Sequence, residues 1–164
     1  MQLNLPILHL LENSENILIA GAGGGFDVFA GLPIYFTLRE MGKRVHLANY
    51  SFMPFKIAKV ISNPLSEIEM VLLGARGEVT RKYAYYPEGY LAQWFMEEGE
   101  DVVIWMIAGE GVPLVQRAYE RLVKKLNIDA IILVDGGVDS LMRGDEQNPG
   151  SLLEDTISLT AIEP

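Results

Sequence analysis

Ile17-Leu18-Ile19-Ala20-Gly21-Ala22-Gly23-Gly24-Gly25-Phe26-Asp27 reads as a short buried strand, a glycine turn and the start of a helix. Ile17 to Ala20 is apolar without alternation, the pattern of a central parallel strand covered on both faces. Nothing larger than a methyl group follows until Phe26, after which Asp27 to about Met41 keeps helical spacing through Val28, Leu32, Tyr35 and Leu38. A strand, a tight glycine turn and a helix N-terminus together aim backbone N–H groups at an anion. Three glycines in a row exceed what packing a helix on a strand requires, because each loses backbone entropy on ordering.

The neighbouring segments extend this unit into a sheet. Pro33 predicts either a kink or a helix that begins near Leu32, and Gly42 ends that helix. Arg44 to Tyr50 is strand two, where a β-α-β unit returns to the sheet. Upstream, Pro6, Ile7, Leu8, Leu10 and Leu11 predict a short helix over 5–15. Ile57, Ile61, Leu65, Ile68 and Leu72 keep helix-like spacing, but Asn63-Pro64 interrupts them, so 65–73 is a helix or a loop with a short strand. Tyr83 to Glu88 leads in extended form to a helix over 88–98. Val102 to Ala108 and Ala130 to Val134 are buried strands, separated by a helix from Val112-Pro113 to about Leu126, and Ser151 to Thr156 begins a last helix. The pattern is an open, mostly parallel, Rossmann-like α/β sheet with helices on both faces. It fits one domain over residues 1–164, which also reads as the amino-terminal part of a longer protein.

Composition narrows the function classes. With 49% hydrophobic and 21% charged residues the chain is globular and can bury a core. A net charge of −9 repels polyanions, so nucleic acid is not an expected partner, whereas a small anionic or phosphorylated molecule held by backbone dipoles and a cation is. The absence of cysteine removes disulfides, thiolate chemistry and Cys-ligated zinc. No leader-like N-terminus and no apolar run long enough to span a bilayer are present, which predicts a cytoplasmic location without a membrane partner.

The glycine turn matches only part of a dinucleotide fingerprint. Strand two ends in Asn49 where an acidic residue would hold the ribose, so conventional NAD binding is not expected, and no Lys-Ser/Thr pair follows as a P-loop needs. Asp27 is either an N-terminal helix cap or a ligand for a cation or hydroxyl beside the loop. A second cluster, Asp135-Gly136-Gly137-x-Asp139-Ser140-x-x-x-Gly144-Asp145-Glu146, follows a buried strand, and Glu154-Asp155 lies behind it. Its glycines permit a sharp turn that brings Asp139 toward Asp135. Carboxylates this close repel one another unless a cation, an amine or Arg143 compensates. An oxygen-rich, cysteine-free set points to Mg²⁺ or Mn²⁺. Glu110, between Gly109 and Gly111, closes another strand on the same edge as a candidate base. Tyr86, Glu88 and Tyr90 are weaker candidates, and the stripe Tyr83/Tyr85 suits a core or an interface with a second copy, so a homo-oligomer is expected.

Ala22 to Asp27 with Gly31-Leu32-Pro33, together with Asp135-Gly136-Gly137-x-Asp139-Ser140-Leu141-x-x-Gly144-Asp145-Glu146, resembles a prokaryotic family catalogued as a domain of unknown function and found in archaea and some bacteria. The likeness runs from about residue 14 to 157, and it implies the amino-terminal half of a longer protein and a site shared by the two motifs. On the residues themselves, Gly23, Gly24, Gly25, Asp27, Asn49, Gly136 and Gly137 would bind the ligand. Asp135, Asp139 and Asp145 would hold Mg²⁺ or Mn²⁺, with Asp135, Asp139 and Glu110 as catalytic groups. That combination predicts a nucleotide- or phosphometabolite-binding enzyme of the phosphoryl- or nucleotidyl-transfer or hydrolysis type. A non-enzymatic ligand-binding or regulatory domain and an oligomerisation domain are the alternatives.

Overall fold

Along the first strand, β1 (Asn16–Gly21), side chains alternate between two cores. Ile17 and Ile19 enter one, Leu18 and Ala20 the other, and all four are fully buried. The computed structural model of the protein describes residues 9–137, 145, 150 and 152–162. Its other strands are β2 (Arg44–Ser51), β3 (Leu72–Ala75), β4 (Ile104–Ala108) and β5 (Ala130–Val134). The helices are α1 (Asp27–Ala30), α2 (Leu32–Glu40), α3 (Phe55–Ile61), α4 (Pro87–Glu97), α5 (Val112–Leu126) and α6 (Leu152–Ile162). The strands form one five-stranded sheet in the order β3-β4-β2-β1-β5. All pairings are parallel except that of β3, which lies antiparallel on β4 at the edge.

Helices cover both faces, as a mostly parallel sheet requires. Leu38 of α2, Ala58 of α3 and Phe95 of α4 join the core of Ile17 and Ile19, while Ala118 and Leu122 of α5 and Ala161 of α6 join that of Leu18 and Ala20. The fold is therefore an open Rossmann-like α/β sheet. Pro33 sits in the first turn of α2, where its missing N–H would be unpaired anyway. The helix thus begins at Leu32 rather than kinking, and the chain breaks at Gly31. A Cβ on Gly31 would lie 2.5 Å from Ile19 Cγ2, so glycine there lets the helical segment approach the sheet.

The open segment 65–73 resolves into a tight turn and a short edge strand. Ile68 bridges Leu72, and between them Glu69 (φ 50°) and Met70 (φ 60°) are left-handed. Two consecutive positive φ values are what a two-residue hairpin turn demands, but Glu and Met carry none of the Asn or Gly signal that would announce one. At the N-terminus His9 and Leu10 are helical, while Pro6, Ile7 and Leu8 lie outside the described residues. No helix among the described residues is long and apolar enough to cross a membrane.

One topological consequence positions the site. From β1 the chain moves to β2 on one side, and only later crosses to β5 on the other. The carboxyl ends of β1 and β5 therefore flank a switch point, the place where open α/β sheets hold ligands. Gly21 is paired in register with both Asn49 of β2 and Val134 of β5, which sets these three strand ends level.

Candidate metal centre

The glycine loop leaves β1 through one further sheet-like bond, Ala22 N–H to Val134 O at 2.9 Å. Gly24 (φ 88°) and Gly25 (φ 62°) are left-handed. A Cβ on Gly24 would also stand 2.8 Å from both Phe52 Cε2 and Tyr50 O, so conformation and space both demand glycine. The turn delivers Asp27 back over the loop. Its Oδ2 accepts the Gly23 N–H at 2.7 Å and its Oδ1 accepts the Gly136 N–H at 3.1 Å, so one carboxylate joins the loops that follow β1 and β5.

Asp135 follows β5 directly, and its Oδ1 accepts the Gly137 N–H at 2.7 Å in a local side-chain turn. Asp155 comes from α6 and is only 2% exposed. One turn further along, the Ser158 hydroxyl donates to Ala22 O at 2.6 Å and fixes α6 against the glycine loop. Asp27, Asp135 and Asp155 each offer an oxygen within 4.8 Å of the others, two from half-buried residues and one from a buried residue. At such separations like charges repel by on the order of 3 kcal/mol per pair at an effective dielectric of about 20. A divalent cation converts that repulsion into attraction. The all-carboxylate donor set suits a hard ion such as Mg²⁺ or Mn²⁺. The N–H groups of Gly23 and Gly136 meanwhile hold the Asp27 carboxylate, and that of Gly137 holds Asp135, which fixes the direction of their oxygens. The cluster can therefore coordinate a metal ion.

Beneath the glycine loop lies a buried polar pair. Asn49 is fully buried; its Nδ2 donates to Gly25 O at 3.0 Å and to Glu88 Oε1 at 2.8 Å. Glu88 stands in the first turn of α4, and burial pushes its carboxyl above the usual range against the opposing effect of the Asn49 bond. Burial first, and then the Glu88 charge among other effects, pushes the Tyr85 and Tyr86 hydroxyls up to about 12. For an acid whose folded pKa is raised, stability is fully present below the unfolded pKa and is lost as pH rises through the folded one. Glu88→Gln keeps an acceptor for Asn49 and removes the titration. The variant should melt a few degrees above the parent at pH 8 and match it at pH 4, as scanning calorimetry would read.

The residues singled out in the sequence divide in the structure. Asp27 and Asp135 enter the cluster, Gly136 and Gly137 donate to its carboxylates, and Asn49 supports Gly25 from below. Gly23 gives its N–H to Asp27. Asp145 is exposed and is not a member of the cluster. Glu110 is exposed as well and lines a separate cleft at the ends of β2 and β4. Asp139 and Arg143 lie outside the described residues. Asp155 was not among the expected ligands. Its one sequence signal is the spacing Asp155-Ser158-Ala161, a small and polar face in a helix that otherwise looks apolar.

The chain belongs to a family described as a protein of unknown function, DUF1152, whose family model matches residues 18–164. No curated protein and no solved structure is similar enough to match.

Proposed function

We propose that the protein is a Mg²⁺- or Mn²⁺-dependent enzyme acting on a small phosphorylated molecule, of the phosphoryl- or nucleotidyl-transfer or hydrolysis class. The observation that carries this reading is the convergence of Asp27, Asp135 and Asp155, from three separate elements, at the switch point of the sheet. In this reading those carboxylates hold the cation, with Asp139 as a further ligand. The cation would neutralise phosphate charge and polarise a phosphoryl oxygen. Because Gly23 is engaged by Asp27, the phosphate falls to the N–H groups of Gly24 and Gly25 beside it.

Calorimetric titration of the protein with Mn²⁺, with Mg²⁺ as competitor, tests the cation. One binding event per chain is expected, in the micromolar to millimolar range. A turnover panel of nucleotides and sugar phosphates, with and without the metal, then separates an enzyme from a ligand-binding regulator. The absence of both binding heat and a shift in melting temperature at millimolar Mn²⁺ would overturn the reading.

A further inference from the structure

The carboxyl edge of the sheet carries a concavity that none of the three clustered aspartates lines. A cleft of about 510 Å³ opens where β2 and β4 end, a volume suited to a small molecule. Phe52 forms the wall nearest the glycine loop. Its ring edge abuts Gly24, where a Cβ would come within 2.8 Å, and it meets Tyr50 edge-on at 5.7 Å between centroids. Even so, Phe52 remains 48% exposed. Met70 also lines the cleft and is 78% exposed, on the left-handed Glu69-Met70 turn that the Arg121–Glu69 ion pair and the Ile68–Leu72 bridge hold. Gly109 also lines the cleft, so close to the Tyr50 ring that a Cβ would lie 2.5 Å from it. A half-exposed aromatic ring, a polarisable thioether and a lining position without a side chain together suit a flat ring.

The polar groups narrow the choice. Ser51, Lys56, Glu67 and Glu110 also line the cleft. Ser51 Oγ accepts the Met53 N–H and Glu67 pairs with Lys59, so Glu110 is the lining carboxylate not held by a lysine and the acceptor for an N–H donor on the ring edge. The cleft is one to two strands from β1, about 5–10 Å by strand spacing, the reach of a nucleoside between base and phosphates. We infer that the Phe52–Met70 cleft is the base subsite of a nucleotide: the base lies on Phe52, its amino group faces Glu110, and its phosphates extend past Gly24 to the aspartate cluster. This inference rests on the cation-and-phosphate reading above and specifies its substrate class.

The test uses calorimetry with Mn²⁺ present and compares adenosine triphosphate, inosine triphosphate and inorganic tripolyphosphate. Adenosine triphosphate should bind about tenfold tighter than tripolyphosphate, the range of base–aromatic stacking. Inosine triphosphate, which lacks the amino group, should fall between them. Phe52→Ala, at a half-exposed position, should remove the preference, read as the ratio of the adenosine triphosphate and tripolyphosphate affinities. If all three probes bind the wild type equally, or if the variant keeps the preference, the base subsite is overturned while the cation reading stands. If none of them binds, the cation-and-phosphate reading is overturned, and adenosine without phosphate then decides the cleft alone. At millimolar concentration it should shift the ¹³C-methyl resonance of Met70 in the wild type and not in Phe52→Ala; no shift in the wild type overturns the subsite.

Discussion

Asp135→Asn should lose Mn²⁺ binding, or weaken it at least about a hundredfold, while leaving the fold intact. The two halves of that expectation have separate causes. Asparagine keeps the Oδ1 that accepts the Gly137 N–H, so the loop after β5 retains its turn. It also removes one of three carboxylate charges within 4.8 Å of one another, and the metal-free variant should melt near the wild-type temperature. The wild type should gain about 2.7 kcal/mol in Mn²⁺ at a hundred times its dissociation constant, and the variant nothing comparable. Asp27→Asn makes the informative contrast. Both Asp27 oxygens accept backbone N–H bonds, from Gly23 and Gly136, so an amide there turns an NH₂ toward a donor. That change should destabilise the metal-free protein by about 1–3 kcal/mol as well as weaken the cation. If Asp135→Asn binds Mn²⁺ like the wild type, or melts far below it, the cluster is structural.

What the sequence revealed follows from what is local. Val112 to Leu126 and Ala130 to Val134 declare themselves because amphipathic spacing, a Pro in the first turn and a β-branched run act over a few residues. Asp27 and Asp135 stand out because one closes the glycine turn after β1 and the other opens the Gly136-Gly137 turn after β5. Asp155 is hidden because its burial depends on how α6 docks. Leu152, Leu153 and Leu159 are exposed while Asp155, Ser158 and Ala161 face inward, the reverse of what hydropathy predicts. β3 is obscured for a related reason. The helix-like recurrence from Ile57 to Leu72 spans a helix, a break and a hairpin turn, and periodicity cannot see that Glu69 and Met70 are left-handed.

Asn49 shows how tightly the sheet and the glycine loop are matched. Its position at the end of β2 argues against a ribose carboxylate, but its role in the structure is to hold Gly25 O from beneath and to engage Glu88. Its Oδ1 occupies the space a side chain on Gly21 would need: a Cβ there would lie 2.1 Å from that oxygen and 2.8 Å from Val28 N. Both neighbours are held in place, one by a buried hydrogen-bonded amide and the other by the backbone of α1. Gly21→Ala should therefore force β1 and β2 apart at the switch point and cost about 3 kcal/mol, read by urea denaturation. Asn49→Ala alone should cost about 1–3 kcal/mol, because the Gly25 and Glu88 acceptors lose their donor. In the double variant the clash with Oδ1 disappears, so the combined loss should fall short of the sum by at least about 0.5 kcal/mol. Strict additivity would mean that Gly21 is constrained by Val28 and Asp27, and that Asn49 supports the loop without shaping the strand beside it.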